Sequence, residues 1–125
     1  MTLARQRLGR DAERLAAARL RERGWRIIVR NARTRSGEID LVCLDGGTLV
    51  FVEVKAGRSG SIGGPEAPAL AVGRRKQLRL RRLARAWLGD APRLRFDQLR
   101  FDVIGVTVGD GGEVLAFDHI EDAFR

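Results

Sequence analysis

A chain of 125 residues with a formal net charge of +8 is long enough to bury one hydrophobic core and too short for two. Hydrophobic residues make up 44% of the chain, but no apolar stretch approaches the roughly 18 residues of a membrane-spanning helix, and the N-terminus lacks the apolar region of a signal peptide. The single Cys43 excludes an internal disulfide and argues against a zinc site. We therefore expect one domain over residues 1–125, located in the cytoplasm and without membrane contact.

The spacing of apolar residues and the turn residues predict the element order α-β-β-β-α-β-β. Two helices are predicted from apolar residues at helical spacing, over residues 3–23 and 68–88. Gly24 would end the first helix, and Gly73 lies inside the second. Five strands are predicted from apolar runs between turn residues, over residues 25–30, 39–44, 49–55, 99–108 and 113–117. With a glycine-rich loop over residues 57–65, this order is typical of an α/β fold in which helices flank a mixed β-sheet.

Charged side chains interrupt the two strands of the predicted hairpin. The loop Gly46-Gly47 favours a tight turn, and facing residues then have numbers that add up to 93. In this register Asp40 faces Glu53, and Glu38 faces Lys55. All four side chains would share one face of the hairpin. Burying such groups unpaired costs several kcal/mol, so we expect each to have a partner.

The pair Asp40 and Glu53 predicts a divalent cation site. Facing carboxylates with Cβ atoms about 5 Å apart destabilise a sheet unless a cation lies between them. Mg²⁺ is typically held by one or two carboxylates, waters and substrate phosphates, which this pair could supply. Lys55 would then stabilise charge on a phosphate or orient an attacking water. The alternative is a Glu38–Lys55 ion pair, with Asp40 and Glu53 solvated at a sheet edge.

Several motifs resemble known families. Asp40, followed by Glu53-Val54-Lys55 on the next strand, resembles the PD-(D/E)xK signature of restriction-endonuclease-like nucleases, with Ile39 where the signature has proline. Five segments resemble the small bacterial YraN-like proteins across nearly the whole chain: Asn31-x-Arg33, Gly37-Glu38-Ile39-Asp40-Leu41, Phe51-Val52-Glu53-Val54-Lys55, Arg100-Phe101-Asp102-Val103 and His119-Ile120-x-x-Ala123-Phe124. That family is itself uncharacterised, and its fold is similar to archaeal Holliday-junction resolvases.

The resemblance implies a restriction-endonuclease-like core with a metal-dependent nuclease site. Asp40 and Glu53 would hold Mg²⁺ or Mn²⁺, and the carbonyl of Val54 would be a further ligand. Glu13, on the first helix, would be a third acidic ligand; it could equally be an exposed residue paired with a nearby arginine. Lys55 would stabilise the developing charge. The implied reaction is hydrolysis of phosphodiester bonds in branched or damaged DNA.

Basic residues are segregated along the chain. Residues 1–36 contain 11 Arg against three acids, and residues 58–85 contain eight basic residues against one acid, whereas residues 101–125 contain six acids. Such segregation favours a polyanion as ligand, DNA more than RNA, although arginine-rich helices can also be simply solvated. The basic candidates for nucleic-acid binding are Arg33, Arg58, Arg74, Arg75, Lys76, Arg79 and Arg82. The resemblance to the nuclease class adds Gln77, since some relatives have a substrate-positioning Gln or Lys there.

Lysine is rare in this chain. Of the 24 basic residues, 22 are Arg, and only Lys55 and Lys76 are Lys. Lysine at the motif therefore favours a site that needs a compact amine. Together these features predict a metal-dependent endonuclease, and a branched substrate would suit a two-fold homodimer. The alternative is a DNA- or RNA-binding module that retains the nuclease fold without catalysis.

Overall fold

The computed structural model describes residues 3–58, 73–91 and 93–124. In this part of the chain two helices and five strands follow the predicted order α-β-β-β-α-β-β, which confirms the α/β fold. The elements are α1 (Leu3–Glu22), β1 (Arg26–Thr34), β2 (Gly37–Asp45), β3 (Thr48–Arg58), α2 (Arg74–Asp90), β4 (Gln98–Val108) and β5 (Val114–Ile120).

The five strands form one mixed sheet in the order β1-β2-β3-β4-β5. The pairs β1–β2, β2–β3 and β4–β5 are antiparallel, and β3–β4 is parallel. A parallel pair needs a crossover connection, and α2 lies within the one that joins β3 to β4. The β3–β4 ladder runs without interruption from Thr48–Gln98 to Arg58–Val108.

The core lies on both faces of the sheet. One face packs against α1, where Ala16 and Leu20 join Val50 and other residues of β2, β3 and β4. The opposite face packs against α2, where Leu83 joins Phe51 and its neighbours. Because β3 is covered on both faces, its residues 49–52 are all buried, which explains the continuous apolar run in the sequence.

Gly24 ends α1 as predicted. Its φ is +89°, in the left-handed region that glycine adopts without a steric penalty. The Gly24 N–H donates to the Arg21 carbonyl at 2.9 Å, and the Trp25 N–H donates to the Leu20 carbonyl at 3.0 Å. These two bonds form a Schellman motif, which satisfies carbonyls at the end of the helix.

Several predicted boundaries were wrong, mainly because pairing extends the strands. β1 continues to Thr34 because its last residues pair with β2, and β3 continues through Gly57 and Arg58 because they pair with β4. β5 reaches Ile120 for the same reason. Gly73 lies at the N-cap of α2 rather than inside the helix, with φ −70° and ψ 173°. Residues 59–72, with most of the predicted loop and the first predicted turns of the second helix, lie outside the described residues.

Among the described residues, neither helix combines the length and the apolar character that crossing a bilayer requires.

Candidate active site

The site forms where β2 and β3 separate. Their ladder has the predicted register, from Asp45–Thr48 to Leu41–Val52, and Leu41–Val52 is its last pair. Beyond this point β2 pairs with β1, and β3 pairs with β4. The next facing residues, Asp40 and Glu53, therefore lie where the two strands diverge.

Asp40 occupies the gap between the strands. Its Oδ2 accepts a hydrogen bond from the Val54 N–H at 2.7 Å, so a carboxylate takes the place of a strand carbonyl. The regular alternation of β2 also breaks here, because Ile39 packs on the α2 side of the sheet and Leu41 packs on the α1 side. Opposite Asp40 on β1, Asn31 has a φ of +53°, which asparagine tolerates better than most residues. The irregular backbone directs Asp40 toward β3.

Asp40 lies at the centre of a group of acids. The carboxyl groups of Glu13 on α1 and Glu53 on β3 lie close enough to that of Asp40 to interact with its charge. The Asn31 amide, with its nitrogen turned toward the acids, donates to Glu13 Oε2 at 2.7 Å and to Glu38 Oε1 at 3.0 Å. Among the described residues no three acidic, histidine or cysteine side chains form a complete metal-binding group. The arrangement therefore offers a pair of carboxylates centred on Asp40, not a closed cage.

Burial and like charge raise the pKa values of these acids. Burial, followed by the charge of Glu53, raises the pKa of Asp40 to about 8, although the Val54 N–H bond opposes the rise. Burial also raises the pKa of Glu53, against the lowering effect of Lys55 and Arg79. The pKa of Glu13 is raised by burial as well. A shared proton or a cation would relieve the repulsion between these groups.

Both lysines of the chain contact Glu53. Lys55 Nζ and Lys76 Nζ each lie 3.6 Å from Glu53 Oε1. Lys55 comes from the same strand, and Lys76 comes from the first turn of α2. With 22 Arg in the sequence, the convergence of the only two Lys on one carboxylate indicates a site that uses compact ammonium groups.

Gly37 allows α2 to approach the site. Its φ is +141°, and a Cβ built there would lie 3.1 Å from Leu83 Cδ2 and 3.2 Å from Arg79 Nη2. A larger residue would therefore meet α2 and be strained as well. The close contact holds Arg79 and Lys76 next to the divergent strands.

An open cleft leads to the acidic group from the α1 side. It has a volume of about 580 Å³ and lies between the N-terminal half of α1 and the β1–β2 hairpin. Glu13, Glu38 and Asp40 line it on the acidic side. Its other lining residues are Arg5, Gln6, Gly9, Arg10, Arg14, Arg30, Asn31 and Arg33.

Comparison with known proteins shows the family of the chain. The sequence model of the Uncharacterised protein family UPF0102 matches residues 12–106. The chain belongs to this family. A UPF0102 protein of Anaeromyxobacter dehalogenans is 53% identical over 107 residues, which cover 86% of this chain and 77% of the relative. A UPF0102 protein of Rhodococcus jostii is 44% identical, and the match covers 94% of this chain and 95% of the relative. A UPF0102 protein of Geobacter metallireducens is 42% identical, and the match covers 100% of this chain and 98% of the relative.

The UPF0102 match includes the second half of α1, the β2–β3 hairpin and α2, and hence all the residues that meet at Asp40. The names of these relatives state no activity. The predicted YraN-like membership is thus confirmed at the level of the family, and the nuclease site stays a prediction.

The prediction that Glu38 faces Lys55 was wrong. Because β2 leaves β3 beyond Leu41, Glu38 pairs with Arg33 in the β1–β2 ladder and accepts a hydrogen bond from Asn31. Lys55 pairs with Glu53 on its own strand instead. The alternative interpretation, a Glu38–Lys55 ion pair, fails for the same reason.

The predicted nucleic-acid residues of this UPF0102 chain lie in three places. Arg33 lines the cleft, and Arg58 is exposed at the end of β3. The other candidates are on α2, where the arginines are exposed and the remaining two residues are half-buried: Arg74, Arg75, Arg79, Arg82, Lys76 and Gln77. Lys76 also belongs to the acidic group, because its Nζ lies 3.6 Å from Glu53 Oε1.

Sequence reasoning missed Asn31 as a member of the site. Asn31 belongs to one of the segments that resemble the YraN-like proteins. Its role depends on a left-handed backbone conformation, which the pattern of residues in the sequence does not predict. For Lys76 a signal was present, since it is one of only two lysines.

A second polar cluster has a structural role. Asp102 is 1% exposed, and its carboxylate accepts two hydrogen bonds from Arg100, at 2.8 and 3.0 Å, and one from the Asp122 N–H. His119 Nε2 lies 2.8 Å from Asp102 Oδ2, and Arg23 Nη1 lies 2.8 Å from His119 Nδ1. Because a guanidinium only donates, Nδ1 must accept and Nε2 carries the proton. The cluster anchors the C-terminal segment to β4, so His119 has a structural role.

Proposed function

We propose that this UPF0102 protein is a metal-dependent endonuclease that hydrolyses phosphodiester bonds, with DNA as the favoured substrate. The observation that carries the proposal is the meeting of Asp40 and Glu53 where two strands diverge, with Lys55 3.6 Å from Glu53. Paired carboxylates of raised pKa beside an amine are costly to a fold, which favours a functional role for them.

The donor set fits a hard divalent cation. Asp40 and Glu53 would hold Mg²⁺ or Mn²⁺ through oxygen atoms, with the Val54 carbonyl and Glu13 as further candidates. Waters and substrate phosphate would complete the shell of such an ion, since Mg²⁺ usually retains several waters and binds few protein carboxylates. Such an ion would supply Lewis acidity that activates water and neutralises phosphate charge.

The two lysines supply charge from the protein itself. In the structure Lys55 and Lys76 balance Glu53. Once Glu53 has another cationic partner, each ammonium group can turn to a non-bridging oxygen of the substrate phosphate. Such contacts stabilise the charge that develops as a phosphodiester bond breaks. The exposed arginines of α2 and of the cleft would attract and position the backbone.

A non-catalytic DNA- or RNA-binding module remains the second candidate. The observation that favours it is that two lysines of the protein itself already balance the charge of Glu53. In that case the acids and lysines would form a half-buried ion cluster, and the arginines alone would bind nucleic acid.

A cleavage assay separates the two candidates. Labelled single-stranded, duplex, flapped and four-way substrates are incubated with the protein and Mg²⁺, Mn²⁺ or a chelator. We expect cleavage with either ion, none with the chelator, and none from Asp40→Asn. Asp110→Asn is the matched control, because Asp110 is an exposed acid in the turn between β4 and β5. Binding of every substrate without cleavage under any condition would establish the binding module.

A further inference from the structure

The open cleft beside α1 combines positive charge with contact to the acidic group. Five of its lining residues are arginines, against three acids that lie together at Asp40. Arg10, Arg14, Arg30 and Arg33 are all exposed. A polyanion lying in the cleft would thus meet guanidinium groups along its length and carboxylates at one end. This is the charge order that a strand leading to a cation site requires.

Gly9 keeps the wall of the cleft open. It lies inside α1, where glycine is the least favourable residue after proline. Its backbone conformation does not require glycine, and outside the backbone of its own helix an added Cβ would meet no atom of the described residues within 4 Å. In the described part of the chain neither strain nor packing therefore explains glycine here. Because Gly9 lines the cleft, a larger side chain would take up space that a ligand could use.

The size of the cleft selects the form of the nucleic acid. A volume of about 580 Å³ lies within the range of sites that hold small organic ligands. A space of this size matches one or two nucleotides of a single strand and is small for a base-paired duplex. None of the described residues that line it is aromatic, so bases would stack on arginine planes. Such stacking accepts every base.

We propose that this cleft binds an unpaired strand, one or two nucleotides long, next to the phosphate that is cleaved. The substrate is then a nucleic acid that is single-stranded on one side of the cleavage point, such as a flap or an overhang, rather than a continuous duplex. The cleavage part of this inference rests on the proposed nuclease function, but binding in the cleft does not.

Binding is measured first, by fluorescence anisotropy in the presence of a chelator. The probes are labelled oligothymidylate and oligouridylate, which distinguish DNA from RNA, and a duplex of the same length. Gly9→Leu should weaken binding of the single strands and leave binding of the duplex unchanged, because only the single strand enters the cleft. A melting temperature of Gly9→Leu equal to or above that of the parent would show that the helix is intact, because leucine favours a helix more than glycine does.

A pair of arginine variants tests the charge of the cleft even if Gly9→Leu fails to fold. Arg10→Ala with Arg33→Ala should weaken single-strand binding about tenfold. It should also reduce the slope of log affinity against log salt concentration by about 1.4, because each lost phosphate contact of a single strand contributes about 0.7. Arg93→Ala with Arg95→Ala removes the same charge from exposed positions between α2 and β4 and should change the slope little. Equal effects of the two double variants would overturn the assignment of the cleft.

Cleavage by the parent and by Gly9→Leu separates this inference from the proposed function. If single strands bind in the cleft as expected and no substrate is cut, the cleft assignment stands and the nuclease proposal fails. If the parent and Gly9→Leu cut a continuous duplex as fast as a flapped one and bind single strands equally, the nuclease proposal stands and the cleft assignment fails.

Discussion

Replacing Asp40 by asparagine removes the ionisable group at the centre of the acidic cluster with little change in shape. The asparagine carbonyl can still accept the Val54 N–H bond, which is 2.7 Å long in the parent. Asparagine cannot ionise, so the repulsion from Glu53 disappears. The variant therefore separates the electrostatic cost of Asp40 from its hydrogen bond.

The sign of the pH effect follows from proton linkage. Burial and Glu53 raise the pKa of Asp40 from its ordinary 3.8 to about 8, so the folded protein holds this proton more tightly than the unfolded chain does. The stability that the protonated group gives is complete below about pH 4 and is lost as the pH rises toward 8. Each pH unit of this window is worth at most about 1.4 kcal/mol.

Over a window of about four pH units, the loss of stability caused by ionising Asp40 is therefore at most about 6 kcal/mol. The actual loss is smaller, because Lys55 and Lys76 can move toward the ionised acids and water can enter the site. We expect Asp40→Asn to exceed the parent in free energy of unfolding by about 2 kcal/mol at pH 8, and the difference to shrink as the pH falls to 5.

The assay is denaturant unfolding at a series of pH values, with Asp110→Asn as the control that should follow the parent. At pH 8, millimolar Mg²⁺ or Mn²⁺ should raise the melting temperature of the parent and leave Asp40→Asn unchanged, because a ligand of the folded state stabilises it. Three results together would refute the reasoning. The stability of the parent would not change from pH 5 to 8, cations would not affect it, and Asp40→Asn would be less stable than the parent at every pH.

Three further variants test other parts of the structure. Lys55→Arg should leave cation-induced stabilisation intact and abolish cleavage, because a planar guanidinium cannot replace a point charge beside Glu53; cleavage at the parental rate would contradict this role. Arg79→Ala with Arg82→Ala should flatten the salt slope of duplex DNA binding by about 1 to 2, and an unchanged slope would assign both side chains to other roles. Asp102→Asn should lower the free energy of unfolding by about 3 kcal/mol in urea, because it breaks a buried ion cluster; a loss below about 1 kcal/mol would mean that its partners rearrange.

The hairpin shows how far sequence reasoning reaches. The Gly46-Gly47 turn and the alternation of side chains were enough to predict the register from Asp45–Thr48 to Leu41–Val52. They could not predict where the ladder ends, because a residue count assumes that strands stay paired. The divergence at Asp40 depends on competition between β1 and β4 for the two strands, which only the assembled sheet decides.

The same limit applies to contacts made by α2. Lys76 was predicted only as one of several basic residues on a surface that binds nucleic acid. Its contact was missed because helical periodicity shows on which face of a helix a residue lies, but not which other element that face contacts. Its contact with Glu53 depends on the crossover that brings α2 beside β3 and on the room that Gly37 leaves. Asp102 likewise appeared only as part of a motif, and its three partners, Arg100, His119 and Asp122, come from β4, β5 and the segment after it.

The parallel ladder between β3 and β4 also governs when the site can form. Every pair in it joins residues 50 positions apart, from Thr48–Gln98 to Arg58–Val108. Closing so long a segment is slow compared with forming a helix or a hairpin, so β3 acquires its second neighbour late in folding. A nascent chain emerging from the ribosome would carry Asp40, Glu53 and Lys55 well before β4 exists to hold their strand. The order of synthesis thus delays any activity at this site until β4 has been synthesised.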